Sequence, residues 1–151
     1  MYQPDPNKHP SLRYGCFFGP VIQALCITKE LNMHNHEKID YVEFPATNMS
    51  ATKKFFESVF SWEFEDYGPE YTAFVNQGLD GGFYKSELNV SAERGSALIV
   101  FYSNNLEGTL QKVVDSGGTI VKSIFSFPGG RRFHFTDPSV NEFAVWSEIN
   151  A

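Results

Sequence analysis

The chain has 151 residues, a length that fits one domain with a sizeable core. Hydrophobic residues make up 42% and charged residues 20%, a globular balance. The formal charge is −6 and no basic run occurs, which argues against nucleic acid as a partner, because phosphate binding needs clustered cations.

Residues 1–36 differ from the rest. "MYQPDPNKHPSLRY" is polar and proline-rich, and "GCFFGPVIQALCITKELN" is apolar without a clear period. Gly19 and Pro20 interrupt any helix there. Arg13 and the apolar run partly fit a secretory signal, but no small-residue cleavage site follows. The expectation is an N-terminal extension over 1–36, either disordered or a start-site artefact upstream of Met33, and a folded domain over 37–151. Both cysteines, Cys16 and Cys26, fall in the extension. No disulfide framework is expected, and a reducing, cytoplasmic setting fits. No apolar run reaches the length of a membrane span.

From Lys38 the pattern is regular. Residues 39–45 alternate, with Val42 and Phe44 on one face and Tyr41 and Glu43 on the other. Asn48 and Ser50 are good helix caps. Ala51, Phe55 and Val59, with Phe56 and Phe60 alongside, predict an amphipathic helix over about 50–60. Strands are predicted near 62–66, 71–76 and 81–85. The pairs Gly81-Gly82 and Gly129-Gly130 read as turn glycines, not a phosphate loop, because neither precedes a helix.

The pattern then returns. "ALIVFYS" predicts a strand over 97–103, and "NNLEGTLQKVVDSGG" a helix with a glycine stop. Strands follow near 119–125, 131–136 and 142–147. Asn48-Met49 recurs as Asn105-Leu106. The chain therefore holds two βαβββ units, an α+β fold. Each unit alone would leave a sheet face uncovered, so the two pair, forming a curved mixed sheet around a central cleft.

"VEFPA", "FFESVFSW", the "GGF" strand and "GGRRFHFTDPSVNEFAVW", in this order, resemble the vicinal oxygen chelate superfamily, which includes glyoxalase I, bleomycin- and fosfomycin-resistance proteins and extradiol dioxygenases. The resemblance covers about residues 38–149, and is to its uncharacterised glyoxalase-like branch. Ser61 and Val140 stand where that branch has glycine. A β-branched Val at φ > 0 is strained, so a local turn change or a modest stability loss is expected. The resemblance also implies four metal-ligand positions. They fall on Tyr41, Leu98, Ala144 and the stretch Gly82 to Tyr84. Leu and Ala cannot bind a metal, and Tyr is an uncommon ligand for Zn or Ni. No metal site and no cofactor are expected.

Other residues could carry chemistry. Glu43 is expected to point into an aromatic cleft, where desolvation would raise its pKa and suit it to a general base. On "RRFHFT" the alternation sets Arg132, His134 and Thr136 apart from Arg131, Phe133 and Phe135. His134 could act as acid or base, and Arg132 could clamp an anion. Tyr41, Tyr71, Tyr102 and Trp146 are candidate walls of a ligand pocket, and Phe83 reads better as core. Each also has an ordinary structural reading, as an ion pair, a hydrogen-bonded histidine or packing. The leading expectation is a metal-independent homodimer that binds a small anionic or aromatic molecule. The alternatives are a lyase or isomerase with Glu43 or His134 as base, and a resistance-type protein that sequesters its ligand.

Overall fold

The computed structural model describes residues 34–149; the expected N-terminal extension lies almost wholly outside them. The first unit runs β1 (Tyr41–Ala46), α1 (Met49–Phe60), β2 (Phe64–Asp66), β3 (Tyr71–Phe74) and β4 (Asp80–Lys85). The second runs β5 (Ile99–Tyr102), α2 (Leu106–Asp115), β6 (Thr119–Phe127), β7 (Gly130–Thr136) and β8 (Glu142–Ser147). This is the α+β, twice-repeated βαβββ architecture. Each unit forms its own four-stranded mixed sheet, in the orders β1-β4-β3-β2 and β5-β8-β7-β6. In each, the first and last strands of the unit pair in parallel, and the remaining pairs are antiparallel.

The helices start where the repeated asparagines predict. The side chain of Asn48 accepts from Ala51 N–H, and that of Asn105 from Gly108 N–H, each at 3.0 Å. The apolar face of α1 buries Phe55, Phe56 and Val59. These rings pack against both units. Phe56 lies 5.3 Å from Phe83 on β4 and 5.5 Å from Phe143 on β8. Phe44 lies 5.1 Å from Phe143, so one aromatic core serves both sheets. Phe83 belongs to that core, fully buried, as the sequence suggested.

Gly81 and Gly82 are not turn residues but lie within β4. A Cβ on Gly81 would collide with Val42 O and the Phe74 ring, and one on Gly82 with the Tyr71 hydroxyl. Close approach, not turn geometry, requires glycine there.

The turn between β7 and β8 ties the units together. Asn141, fully buried, donates from Nδ2 to Pro45 O at 2.7 Å and accepts at Oδ1 from Val90 N–H at 3.0 Å. Its own N–H donates to Asp137 Oδ1 at 2.8 Å. Ser139 Oγ accepts from Thr47 N–H at 3.2 Å and pairs with Thr52 Oγ1 at 2.8 Å. One short turn thus holds the end of β1, the start of α1 and the segment that joins the two units.

Both departures from glycine keep the glycine conformation. Ser61 caps α1 at φ 58°, and Val140 sits at φ 64°. The turn has not changed type, so Val140 carries the strain. Its side chain is 56% exposed and offers little burial in return. Val140→Gly should therefore raise unfolding stability by about 1 kcal/mol, read from the urea midpoint. An unchanged or lowered midpoint would contradict this.

Burial raises the Asp137 carboxyl from 3.8 to about 6, against the opposing hydrogen bonds from Asn141 and Ser139. A raised folded-state pKa favours the folded state while the group is protonated. Its contribution is complete below about pH 3.8 and is lost as pH rises through about 6. The stability difference between the native chain and Asp137→Asn should therefore shift towards the variant between pH 4 and 7. Urea titrations at several pH values check this, and a difference that moves the other way would refute it.

Candidate functional site

Strand alternation gives each sheet a face packed on the aromatic core and a reverse face. On the first sheet the reverse face carries Tyr41, Glu43 and Tyr71. Glu43 pairs across the ladder with Gly82, and Tyr71 pairs with Tyr84. The Tyr41 and Tyr71 hydroxyls are 2.6 Å apart, and Tyr71 donates to Glu43 Oε1 at 3.0 Å. A carboxylate only accepts, so Tyr71 spends its single hydrogen on Glu43 and Tyr41 donates to Tyr71. Burial raises the pKa of both phenols above the ordinary value; for Tyr71, the hydrogen bond it donates to Glu43 adds to it. Both stay protonated near neutral pH. Glu43 itself is exposed. The desolvating aromatic surround expected for it is therefore not there, and its partner is a phenol.

The second sheet brings Tyr102, Trp146, Arg132 and His134 onto one reverse face. Tyr102 pairs with Trp146, and Trp146 with Arg132, so three strands set these side chains in a row. The Tyr102 and Trp146 rings meet edge-on at 5.2 Å. On the far side of Arg132, β6 supplies Phe125 and Phe127, with the guanidinium carbon 5.1 and 5.4 Å from their ring centres. The neighbouring Arg131 points the other way and pairs with Glu107 on α2 at 2.5 Å. Arg132 is half-buried, its Nε is buried without a hydrogen-bond partner, and it joins no ion pair among the described residues.

His134 is 2% exposed. Its Nδ1 is 2.9 Å from Glu142 Oε1, and Glu142 Oε2 accepts from Ala92 N–H at 2.9 Å. Burial pushes the Glu142 carboxyl up, but the hydrogen bonds from His134 and Ala92 outweigh it, and the pKa lies below the usual value. An ionised Glu142 makes Nδ1 the donor. In the neutral ring, Nε2 is then an acceptor, and it is buried without a partner among the described residues.

The sequence reading omits Glu142, Phe125 and Phe127. Alternation along β8 does contain the signal for Glu142, since residues 142, 144 and 146 share a face. A further shallow groove, of about 450 Å³, lies beside Tyr102 along the start of α2, with Ser103, Asn105 and Lys112 among its lining residues.

The ladder register clarifies the metal positions that the family resemblance implies. Leu98 lies just before β5, where Val100 pairs with Ala144 as Glu43 pairs with Gly82. The fourth position is thus Gly82. Gly82 and Ala144 carry no donor atom, and the Tyr71 hydroxyl stands where a side chain at 82 would begin. Among the described residues, no three His, Cys, Asp or Glu side chains come together as a group that could hold a metal ion. The residues present do not fit the metal of the family.

The family model of the glyoxalase/bleomycin resistance protein/dioxygenase superfamily matches residues 38–145. Solved structures share the fold at low identity. A glyoxalase-related enzyme from Fulvimarina pelagi is 13% identical with a TM-score of 0.64, over 74% of this chain and 88% of that one. A fosfomycin resistance protein from Mesorhizobium loti is 17% identical with a TM-score of 0.59, over 74% and 92%. A lactoylglutathione lyase from Agrobacterium tumefaciens is 15% identical with a TM-score of 0.57, over 74% and 93%. No curated protein matches. With its repeated units, its terminal turn and the family match over residues 38–145, the chain belongs to the glyoxalase/bleomycin resistance protein/dioxygenase superfamily.

Proposed function

We propose that the protein binds a small aromatic anion on the reverse face of its second sheet. One observation carries this reading: Arg132 is a half-buried cation, held between two phenylalanine rings, with no carboxylate partner among the described residues. An unneutralised guanidinium in a partly desolvated place favours an anion, and its planar fork suits a carboxylate. Trp146 and Tyr102 supply ring surface beside it. In this reading Tyr41 and Tyr71, with Glu43 fixing their hydrogens, form a separate polar patch on the reverse face of the first sheet and do not hold the anion. The ligand needs no metal.

The setting proposed with it is a cytoplasmic homodimer. No helix among the described residues is long and apolar enough to cross a membrane. Val100, 42% exposed, leaves apolar surface on the edge strand of the second sheet for a second copy to cover. Light scattering that gives a monomer mass would remove the dimer from the proposal.

A second reading, a metal-independent lyase or isomerase, is favoured by the His134–Glu142 pair. A carboxylate behind the ring orients it and stabilises the imidazolium formed on taking a proton. Ligand hydrogens that exchange with deuterated solvent equally fast with the native chain and with His134→Gln would remove His134 as base. Binding without exchange would leave sequestration.

Benzoate tests the leading reading. Calorimetry should show it binding the native chain, and Arg132→Gln should weaken binding by about 2 kcal/mol, roughly thirty-fold in Kd. Equal affinity for both chains, or no binding to the native chain, would overturn it.

A further inference from the structure

Two buried nitrogens without partners lie on one face of β7, Nε of Arg132 and Nε2 of His134. They belong to alternate residues of one strand, so their backbones are about 7 Å apart. Phe125 touches both: its ring is 5.1 Å from the Arg132 guanidinium carbon and 5.8 Å from the His134 ring. The two nitrogens differ in kind. Arg132 can only donate. His134, with Nδ1–H directed at Glu142, offers a lone pair at Nε2. A buried acceptor without a donor is costly, so whatever supplies the donor gains affinity by doing so.

We infer that Nε2 of His134 is a second ligand contact, accepting a hydrogen bond from a hydroxyl on the same aromatic acid whose carboxylate Arg132 holds. This rests on the anion-binding reading above and makes it narrower: the ligand is a hydroxyaryl carboxylate. With the two backbones about 7 Å apart, a benzene ring carrying a carboxylate and a meta hydroxyl is the arrangement to test, with Phe125 as the ring it displaces or stacks upon. Glu142 is the positioning residue. It fixes the tautomer of His134 and, through Ala92 N–H, ties that ring to the segment joining the two units.

Three probes separate the terms: benzoate, 3-hydroxybenzoate and 3-methoxybenzoate, each titrated calorimetrically into the native chain. 3-Hydroxybenzoate should bind about tenfold more tightly than benzoate, because only it supplies the missing donor. 3-Methoxybenzoate, the same shape without the hydrogen, should gain nothing. Because His134→Leu would leave Glu142 buried without its partner and could unfold the chain, the second readout uses the native protein. Nitrogen-15 spectra should show the His134 Nε2 resonance shift on adding 3-hydroxybenzoate and stay in place with benzoate. Equal affinities for the three probes, all lost in Arg132→Gln, would keep the anion site and overturn the role of His134. Failure of every probe to bind would overturn both.

Discussion

The buried amide of Asn141 is the interaction on which the rest of the structure depends. One side chain satisfies Pro45 C=O at the end of β1 and Val90 N–H in the segment between the units, while its backbone is held by Asp137. The Pro45 C=O is buried and would otherwise lack this partner, at a cost of about 1–3 kcal/mol, and the Val90 N–H is partly buried. Two small sheets, neither large enough to bury its own aromatic face, are thereby locked around one shared core. The same turn sets the register of β8. Glu142 follows Asn141 directly, so Glu142, Ala144 and Trp146 share the face opposite the core. The chemistry of that face follows from where the turn stops.

Much of this was legible in the sequence because two periodicities carry it. Alternation in "IDYVEF" and "RRFHFT" placed Phe44, Phe133 and Phe135 in the core and Tyr41, Glu43, Arg132 and His134 on the reverse faces. The repeated asparagines marked both helix starts. Contacts that depend on irregular pairing were not legible. Lys122 and Phe125 are three residues apart and should face opposite ways on a regular strand. The register shift between them in β6 puts both on one face and brings Phe125 and Phe127 to Arg132. No period announces a bulge of that kind. The exposure of Glu43 was hidden too, because alternation gives a face but not what covers it.

The first sheet shows how a family site can be chemically replaced. Glycine at position 82 leaves room for the Tyr71 hydroxyl, which in turn engages Tyr41 and Glu43. Two neutral phenols and a carboxylate stand at and beside Tyr41 and Gly82, two of the positions where the family resemblance implies metal ligands. They offer oriented hydrogen bonds, not Lewis acidity. The concentrated charge lies instead on the second sheet, where Arg132 sits between rings without a counter-ion among the described residues. In a chain of formal charge −6, such a cation is a local exception, and local fields decide where a small anion rests.

The most direct test of that assignment is a crystal of the protein grown with 4-bromobenzoate and measured at the bromine absorption edge. The account predicts an anomalous peak on the reverse face of the second sheet, with the carboxylate on Arg132 and the ring against Trp146 or Phe125. A peak beside Tyr41 and Glu43 or in the groove along α2, or no peak with ligand at saturating concentration, would contradict it.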